Sequence, residues 1–172
     1  GGSAALGMTI SPYKGLAHAR RVPGAAVVFG RWDEIGRVDV VAGAGTRGLP
    51  GLSYTYAGAL PQQLGLAHDA DALLPITLAQ PADFAAGAYL PEALAFELRP
   101  HGRALILEAG GGLGVLQALA TGVPEIVAVN SSSLERQAVA AVAGPFDPYA
   151  GPRVHAQVAS TRAFIAGDRA AY

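Results

Sequence analysis

The chain has 172 residues, enough for one medium-sized domain or two small ones. Its 12 basic and 13 acidic residues give a net charge of -1, so no basic excess favours a nucleic-acid partner. Hydrophobic residues make up 51% and charged residues 15%, which allows a buried core, and the lack of cysteine excludes disulfides and thiolate metal ligands.

Residues 1–7 are small and uncharged, and we expect residues 1–10 to be a linker or a tag. They lack the basic start of a signal peptide. No apolar run in the chain approaches the roughly 18 residues that a membrane-spanning helix needs.

Residues 11–80 are predicted to form a small, mostly β domain. Short β-branched or aromatic runs at 25–29, 37–41 and 52–56 predict strands, because turn residues separate them. In the last of these, Tyr54 and Tyr56 would pack on one strand face. The acidic stretch at 68–71 is predicted to be a solvated loop, and residues 12–19 to contain a helical turn.

From residue 81 the pattern alternates between helical and strand-like segments. The predicted order is helix 91–98, strand 103–107, helix 112–121, strand 126–129, helix 132–142, strand 154–158 and a last helix starting at 161–165. Right-handed crossovers would join these strands into one parallel sheet, with strand 103–107 central. Three strands are about half of a doubly wound sheet, so residues 81–172 are expected to be the first half of a Rossmann domain and the chain a fragment.

A glycine-rich loop follows the first predicted parallel strand and opens a helix. It contains Glu108, Gly110, Gly111, Gly112 and Gly114. Glycines let a backbone turn tightly and approach a ligand, and free N–H groups at a helix start face it. The spacing fits neither the dinucleotide fingerprint nor a P-loop, which favours an adenosyl ligand. The alternative is that the glycines only pack a strand against a helix.

Asn130 ends the second predicted parallel strand, about 20 residues after the glycine loop. In nucleotide-binding folds an acid at this place holds the ribose hydroxyls. Asn130 can accept one hydroxyl proton, and Asn130→Asp would then strengthen ligand binding; the alternative is an ordinary turn asparagine. The spacing of Ser132 and Glu135 is that of a capping box, so the serines at 131–133 are interpreted as helix caps.

Several segments together resemble the spermidine synthase family of aminopropyltransferases. The matching residues are 104–112, 126–129, 151–154 and 162–164, with weaker similarity at 89–94 and at 11–16. The resemblance implies a class I methyltransferase fold and a donor that is S-adenosylmethionine or its decarboxylated form. Residues 11–16 resemble membrane-fused members, which implies a domain on the cytoplasmic face of a membrane protein.

The chain departs from the family pattern at three ligand-binding positions. Leu113 replaces the acid of the family's glycine loop, Asn130 replaces the ribose-binding acid, and Ser160 replaces the acid that contacts the adenine. No residue matches the family's catalytic aspartate, so the catalytic residue is unknown. The predicted donor-binding residues are Glu108, Gly110, Gly111, Gly112, Gly114, Asn130 and Ser160.

The leading hypothesis is a spermidine synthase-like transferase fragment, which in the intact protein transfers an aminopropyl group to a polyamine in polyamine biosynthesis. One alternative is a non-catalytic nucleotide-binding or structural domain of a membrane protein; another is a small-molecule methyltransferase. The expected partner is a small molecule rather than a nucleic acid, and a homo-oligomer stays open. The four histidines lack ligand spacing, so no metal is expected.

Overall fold

The computed structural model describes residues 10–43, 48–99 and 101–172, and the predicted linker at 1–10 lies almost wholly outside them. The chain forms seven strands and five α-helices within these ranges. The strands are β1 Ala26–Trp32, β2 Arg37–Ala42, β3 Gln62–His68, β4 Leu74–Leu78, β5 Arg103–Leu107, β6 Glu125–Asn130 and β7 Val154–Val158; the helices are α1 Gly15–Ala19, α2 Ala93–Leu98, α3 Leu113–Ala120, α4 Ser133–Ala143 and α5 Thr161–Gly167. Short 3-10 turns at Pro81–Asp83, Ala85–Tyr89, Gly144–Phe146 and Pro148–Ala150 join several of them.

The first four strands form an antiparallel sheet in the order β1-β2-β3-β4. The sequence predicted β1 and β2, but it missed β3 and β4. In β3 the residues from Gln63 to Ala67 are all buried, so the strand lacks the apolar-polar alternation of a half-exposed strand. Pro75 lies in β4 at the edge of the sheet, where a strand tolerates the missing N–H group.

The predicted strand at 52–56 is wrong, because this segment forms turns. The Ser53 and Thr55 hydroxyls lie 2.8 Å apart, and the Tyr56 N–H donates to the Ser53 carbonyl. Such local bonds offer the backbone an alternative to a strand ladder. Tyr54 is 99% exposed, whereas the ring centroids of Tyr56 and Tyr89 lie 5.0 Å apart. Tyr54 and Tyr56 therefore do not share a packed face.

The last three strands form a parallel sheet in the order β5-β6-β7, as expected for the alternating pattern. The prediction that the first of them is central is wrong: β6 is the middle strand. Within the described ranges β5 pairs only with β6, and its five residues are all half-buried, as at a sheet edge.

The helices α3 and α4 pack between the two sheets. Val38 and Val40 of the antiparallel sheet, Val115 of α3, Val139 of α4 and Ile126 of the parallel sheet all belong to one buried cluster. A helix covered on both sides must be apolar nearly all round, and α3 accordingly buries five consecutive residues from Val115 to Leu119. The two predicted regions therefore share one continuous core.

Smaller elements cover parts of the outer faces. Leu16 and Ala19 of α1 pack against Val41 and Ala67 on the face of the antiparallel sheet that points away from α4. α5 contacts β6 of the parallel sheet. None of the helices in the described ranges is both long and apolar enough to span a bilayer.

Candidate functional site at the carboxyl edge of the parallel sheet

The residues that follow β5, β6 and β7 meet at one edge of the sheet, because the carboxyl ends of parallel strands share an edge. Glu108 directly follows β5, and its exposed carboxylate contacts residues that follow β6 and β7. Its Oε2 accepts a hydrogen bond of 3.2 Å from the Ser131 hydroxyl, and its Oε1 accepts one from the Thr161 hydroxyl. The sequence singled out Glu108 but assigned no such role to Ser131 or Thr161.

Glu108 has a left-handed backbone conformation, with φ of 48°. This conformation is unfavourable for a residue with a Cβ and persists where the surrounding structure enforces it, often at functional sites. The two hydroxyl bonds leave further lone pairs on the carboxylate free to accept. The side chain is therefore preset to receive an ammonium group or sugar hydroxyls.

Ser160, the residue before Thr161, is the N-cap of α5. Its hydroxyl accepts a hydrogen bond of 3.3 Å from the Ala163 N–H, and the residue is exposed. Because Thr161 follows directly, the predicted Ser160 and the unpredicted Thr161 present neighbouring hydroxyls at the same edge.

The glycine loop is closed off by the protein itself. Gly110, Gly111 and Gly112 are all buried. A Cβ on Gly110 would lie 2.7 Å from Cδ1 of Leu74, and one on Gly112 would lie 2.5 Å from Cγ of Pro148.

Gly111 and Gly114 are also close to neighbouring atoms. A Cβ on Gly111 would overlap the Pro75 carbonyl, whereas one on Gly114 would lie 3.2 Å from Cγ2 of Ile106. The antiparallel sheet and the turn at 148–150 thus occupy the space next to residues 110–112.

The Asn130 side chain points into the protein, where it is 2% exposed. Its Oδ1 accepts a hydrogen bond of 3.0 Å from the Gly110 N–H, and its Nδ2 donates to the Tyr149 hydroxyl at 3.4 Å. The Tyr149 hydroxyl donates in turn to the Gly110 carbonyl at 2.8 Å, and burial raises the pKa of Tyr149. The amide thus holds the glycine loop in place and does not face the edge.

Two side-chain contacts connect residues of the N-terminal half of the chain to the start of α4. The Ser132 hydroxyl donates to Oδ2 of Asp33, and Nδ1 of His68 lies 3.0 Å from Oε1 of Glu135. The Ser132 bond, aided by the Gly36 N–H, holds the pKa of Asp33 below its usual value. Such pairs, about 70 to 100 residues apart in the chain, leave no local signal in a sequence.

The start of α4 confirms the predicted cap in part. The Ser132 hydroxyl accepts the Leu134 N–H at 3.0 Å and is the N-cap. Glu135 turns to His68 and does not complete the capping box. Among the residues that the structure describes, no group of three His, Asp or Glu side chains is arranged to hold a metal ion.

An adenosyl donor fits only part of this arrangement. The rim consists of the exposed Glu108 and Ser160 and the half-buried Ser131 and Thr161, and it offers an acceptor and hydroxyls to a cationic, hydroxyl-bearing molecule. The buried backbone of residues 110–112 offers it no open surface in this conformation. The rim, and not the glycine loop, is therefore the accessible part of the site.

The architecture is a mixed α/β fold: a three-stranded parallel sheet of the class I methyltransferase type beside a small antiparallel sheet. Its structural neighbours include a spermidine synthase solved in complex with the transition state analogue AdoDATO, at 17% identity and a TM-score of 0.53. The spermidine synthase of Thermotoga maritima matches at 18% identity and a TM-score of 0.52.

Each match covers 81% of this chain but only 42% of the spermidine synthase chain, so the chain spans less than half of these enzymes. No protein-family model matches the sequence. No curated protein matches it either.

Proposed function

We propose that this chain is the donor-binding part of a spermidine synthase-like transferase and binds S-adenosylmethionine or its decarboxylated form at the carboxyl edge of the parallel sheet. The observation that carries the proposal is Glu108, an exposed carboxylate in a strained conformation between hydroxyls that follow β6 and β7. The likeness of the fold to spermidine synthases supports it.

In this proposal Glu108 accepts hydrogen bonds from the ammonium group or the ribose hydroxyls of the donor. Ser160 and Thr161 flank the donor with hydroxyls. A carboxylate that pairs with a cation gives a charge-assisted bond, roughly twice as strong as a neutral one. These roles require only the rim, and not the backbone of residues 110–112.

For the intact protein we propose aminopropyl transfer to a polyamine. The acceptor nitrogen forms a bond to the aminopropyl carbon, the carbon–sulfur bond breaks with its electron pair left on sulfur, and the nitrogen loses a proton. No described residue is assigned as the base. A location on the cytoplasmic face of a membrane-fused parent, and a homo-oligomeric state, belong to the same proposal.

Calorimetric titration with both forms of the donor tests the binding site. We expect Glu108→Gln to weaken binding by about tenfold or more, since losing a charged acceptor costs about 1.5 kcal/mol or more and 1.4 kcal/mol is a factor of ten. Glu97→Gln is the matched control, because Glu97 is an exposed acid on α2 and should leave the affinity unchanged. An equal loss in both variants would contradict the assignment. Tighter binding of S-adenosylmethionine than of its decarboxylated form would favour the methyltransferase alternative.

The second candidate is a non-catalytic nucleotide-binding or structural domain. The buried glycines favour it, because Leu74, Pro75 and Pro148 already account for the lack of side chains at residues 110–112. The inward-facing Asn130 favours it too. A folded wild-type chain that binds neither form of the donor at millimolar concentration would support this candidate over the transferase.

A further inference from the structure

A cavity of about 520 Å³ lies between the N-terminal segment around α1 and the outer face of the antiparallel sheet. The lining residues that matter here are Lys14, Arg20, Trp32, Arg37, Asp39 and Asp69. This volume is in the usual range for small-molecule sites. The cavity is on the face of the sheet that points away from α4, and none of the rim residues of the carboxyl edge lines it.

The floor of the cavity is a rigid ion pair. Nε and Nη2 of Arg37 each donate to the Asp39 carboxylate at 2.7 Å, and Asp39 is 2% exposed. The pair lies against Gly30, where a Cβ would come within 2.8 Å of Nη2 of Arg37 and 2.9 Å of Oδ1 of Asp39. The hydrogen bond to Asp39 also raises the pKa of Arg37.

The Arg37 guanidinium keeps donors for a ligand. A guanidinium carries five N–H groups, of which the bidentate pair with Asp39 uses two. The side chain is 34% exposed, so it is only partly covered. Because the pair fixes its orientation, the remaining donors are held ready at little entropic cost.

The ring of Trp32 lines the cavity next to the Arg37 guanidinium. The Arg37 guanidinium lies over the Trp32 ring, with its carbon 5.6 Å from the ring centroid, and Trp32 is 54% exposed. Val27 and Ile10 add apolar surface to the lining. The cavity therefore joins a flat apolar surface to an oriented cation, the combination that fits an apolar body with a negative group.

The charges around the cavity favour an anion. Arg37 is balanced by Asp39, and the carboxylate of Asp69 accepts the backbone N–H of Arg37 at 2.8 Å. The Lys14 ammonium donates to the backbone carbonyl of Asp69 at 3.0 Å, and Arg20 is an exposed residue of the lining. Three cations thus face two carboxylates, both of which already accept bonds from Arg37.

We propose that this cavity binds a small organic anion, a ring or short apolar body that carries one carboxylate or phosphate group. The apolar body lies against Trp32, and the negative group meets Arg37 and Arg20. This site needs no transferase activity and goes beyond the proposed function of the carboxyl edge.

The test uses the single tryptophan of the chain as the probe, because any change in its emission reports on Trp32. The whole chain is titrated with phenyl phosphate, with excitation where phenyl phosphate does not absorb. We expect a saturable change in emission, and about tenfold weaker binding in Arg20→Gln, as for a lost charged hydrogen bond. Arg21→Gln is the matched control, since Arg21 is an exposed neighbour outside the lining, and it should bind like the wild type.

Titrations with phenol, inorganic phosphate and benzoate separate the two parts of the ligand. Weaker binding of phenol and of inorganic phosphate than of phenyl phosphate supports the proposal, and saturable binding of benzoate shows that a carboxylate serves as well. Equal binding of phenol would overturn the anionic part, and equal binding of inorganic phosphate the apolar part. The same loss in Arg20→Gln and Arg21→Gln, or an unchanged emission at millimolar phenyl phosphate, would overturn the site itself.

Discussion

Asn130 uses both ends of its amide beneath the glycine loop: one accepts from the Gly110 N–H and the other donates to the Tyr149 hydroxyl. The Tyr149 hydroxyl already gives its own proton to the Gly110 carbonyl. It therefore needs a donor at position 130, which an amide supplies and a carboxylate does not. This arrangement explains why an amide, and not the acid common at this place in nucleotide-binding folds, suits the position.

Asn130→Asp is accordingly expected to destabilise the fold. The change would bury a charge and remove the donor to Tyr149, at a cost of about 1–3 kcal/mol in the free energy of unfolding. Because the side chain at position 130 points into the protein, the substitution should bring no gain in ligand binding. Denaturant unfolding at neutral pH measures the effect. Gln157→Glu makes the same chemical change at an exposed position of β7 and should stay close to the wild type; equal stability of Asn130→Asp and the wild type would show that the buried amide is dispensable.

At the scale of elements, the edge strand β4 lies directly on the glycine loop. Leu74 and Pro75 approach Gly110 and Gly111 from one side, and Pro148 approaches Gly112 from the other. Gly110 and Gly112 also have positive φ values of 47° and 86°, a conformation that costs other residues energy. The loop is thus a packing junction between the two sheets.

Gly111→Ala isolates the close approach from the backbone conformation, because Gly111 is not among the residues with positive φ. The new methyl group would overlap the Pro75 carbonyl, which belongs to the backbone and cannot turn aside. We expect the free energy of unfolding to fall by about 1–3 kcal/mol, as for overpacked cores. Thermal unfolding by circular dichroism measures it.

Gly151→Ala is the control for this prediction. A Cβ on Gly151 would meet no atom within 4 Å, so this variant should unfold like the wild type. A Gly111→Ala protein as stable as Gly151→Ala would mean that β4 can move away from the loop without cost.

At the scale of the whole molecule, the bond between Asp33 and Ser132 links the turn between β1 and β2 to the start of α4. The Ser132 hydroxyl holds the pKa of Asp33 below its usual value. A carboxyl whose pKa is lower in the folded than in the unfolded state stabilises the fold above its unfolded pKa of about 3.9, and this contribution is lost as the pH falls through the folded pKa.

Asp33→Asn should therefore lower the Tm at pH 7, and the difference from the wild type should shrink as the pH falls through the folded pKa of Asp33, where the wild-type carboxyl becomes protonated. Scanning calorimetry at several pH values measures both. Glu34→Gln changes the neighbouring exposed acid and should not alter the pH profile. A Tm difference that is the same at pH 7 and at low pH would show that the charge of Asp33 does not contribute.

The sequence predicted the parallel half of the molecule well, because its strands are short apolar runs joined by helices with caps and glycine ends. It did not predict β3, because the residues of this strand are buried on both faces and their pattern does not distinguish a strand from another buried segment. It also placed Glu108 at the carboxyl edge, since a strand end fixes the position of the next residue. It could not show that β4 covers the glycine loop, because Pro75 and Gly111 are brought together only by the packing of two sheets.

The contact of Pro75 with Gly111 makes the β4 backbone a competitor for the surface of the glycine loop. A molecule that needs this surface can bind only the fraction of chains in which β4 has moved away. Its apparent dissociation constant is then the intrinsic constant divided by that fraction, so an open population of about 1% would weaken binding about 100-fold. Fold stability and ligand affinity at the loop are therefore opposed. A substitution that loosens β4 would raise the affinity for such a molecule and lower the stability of the fold.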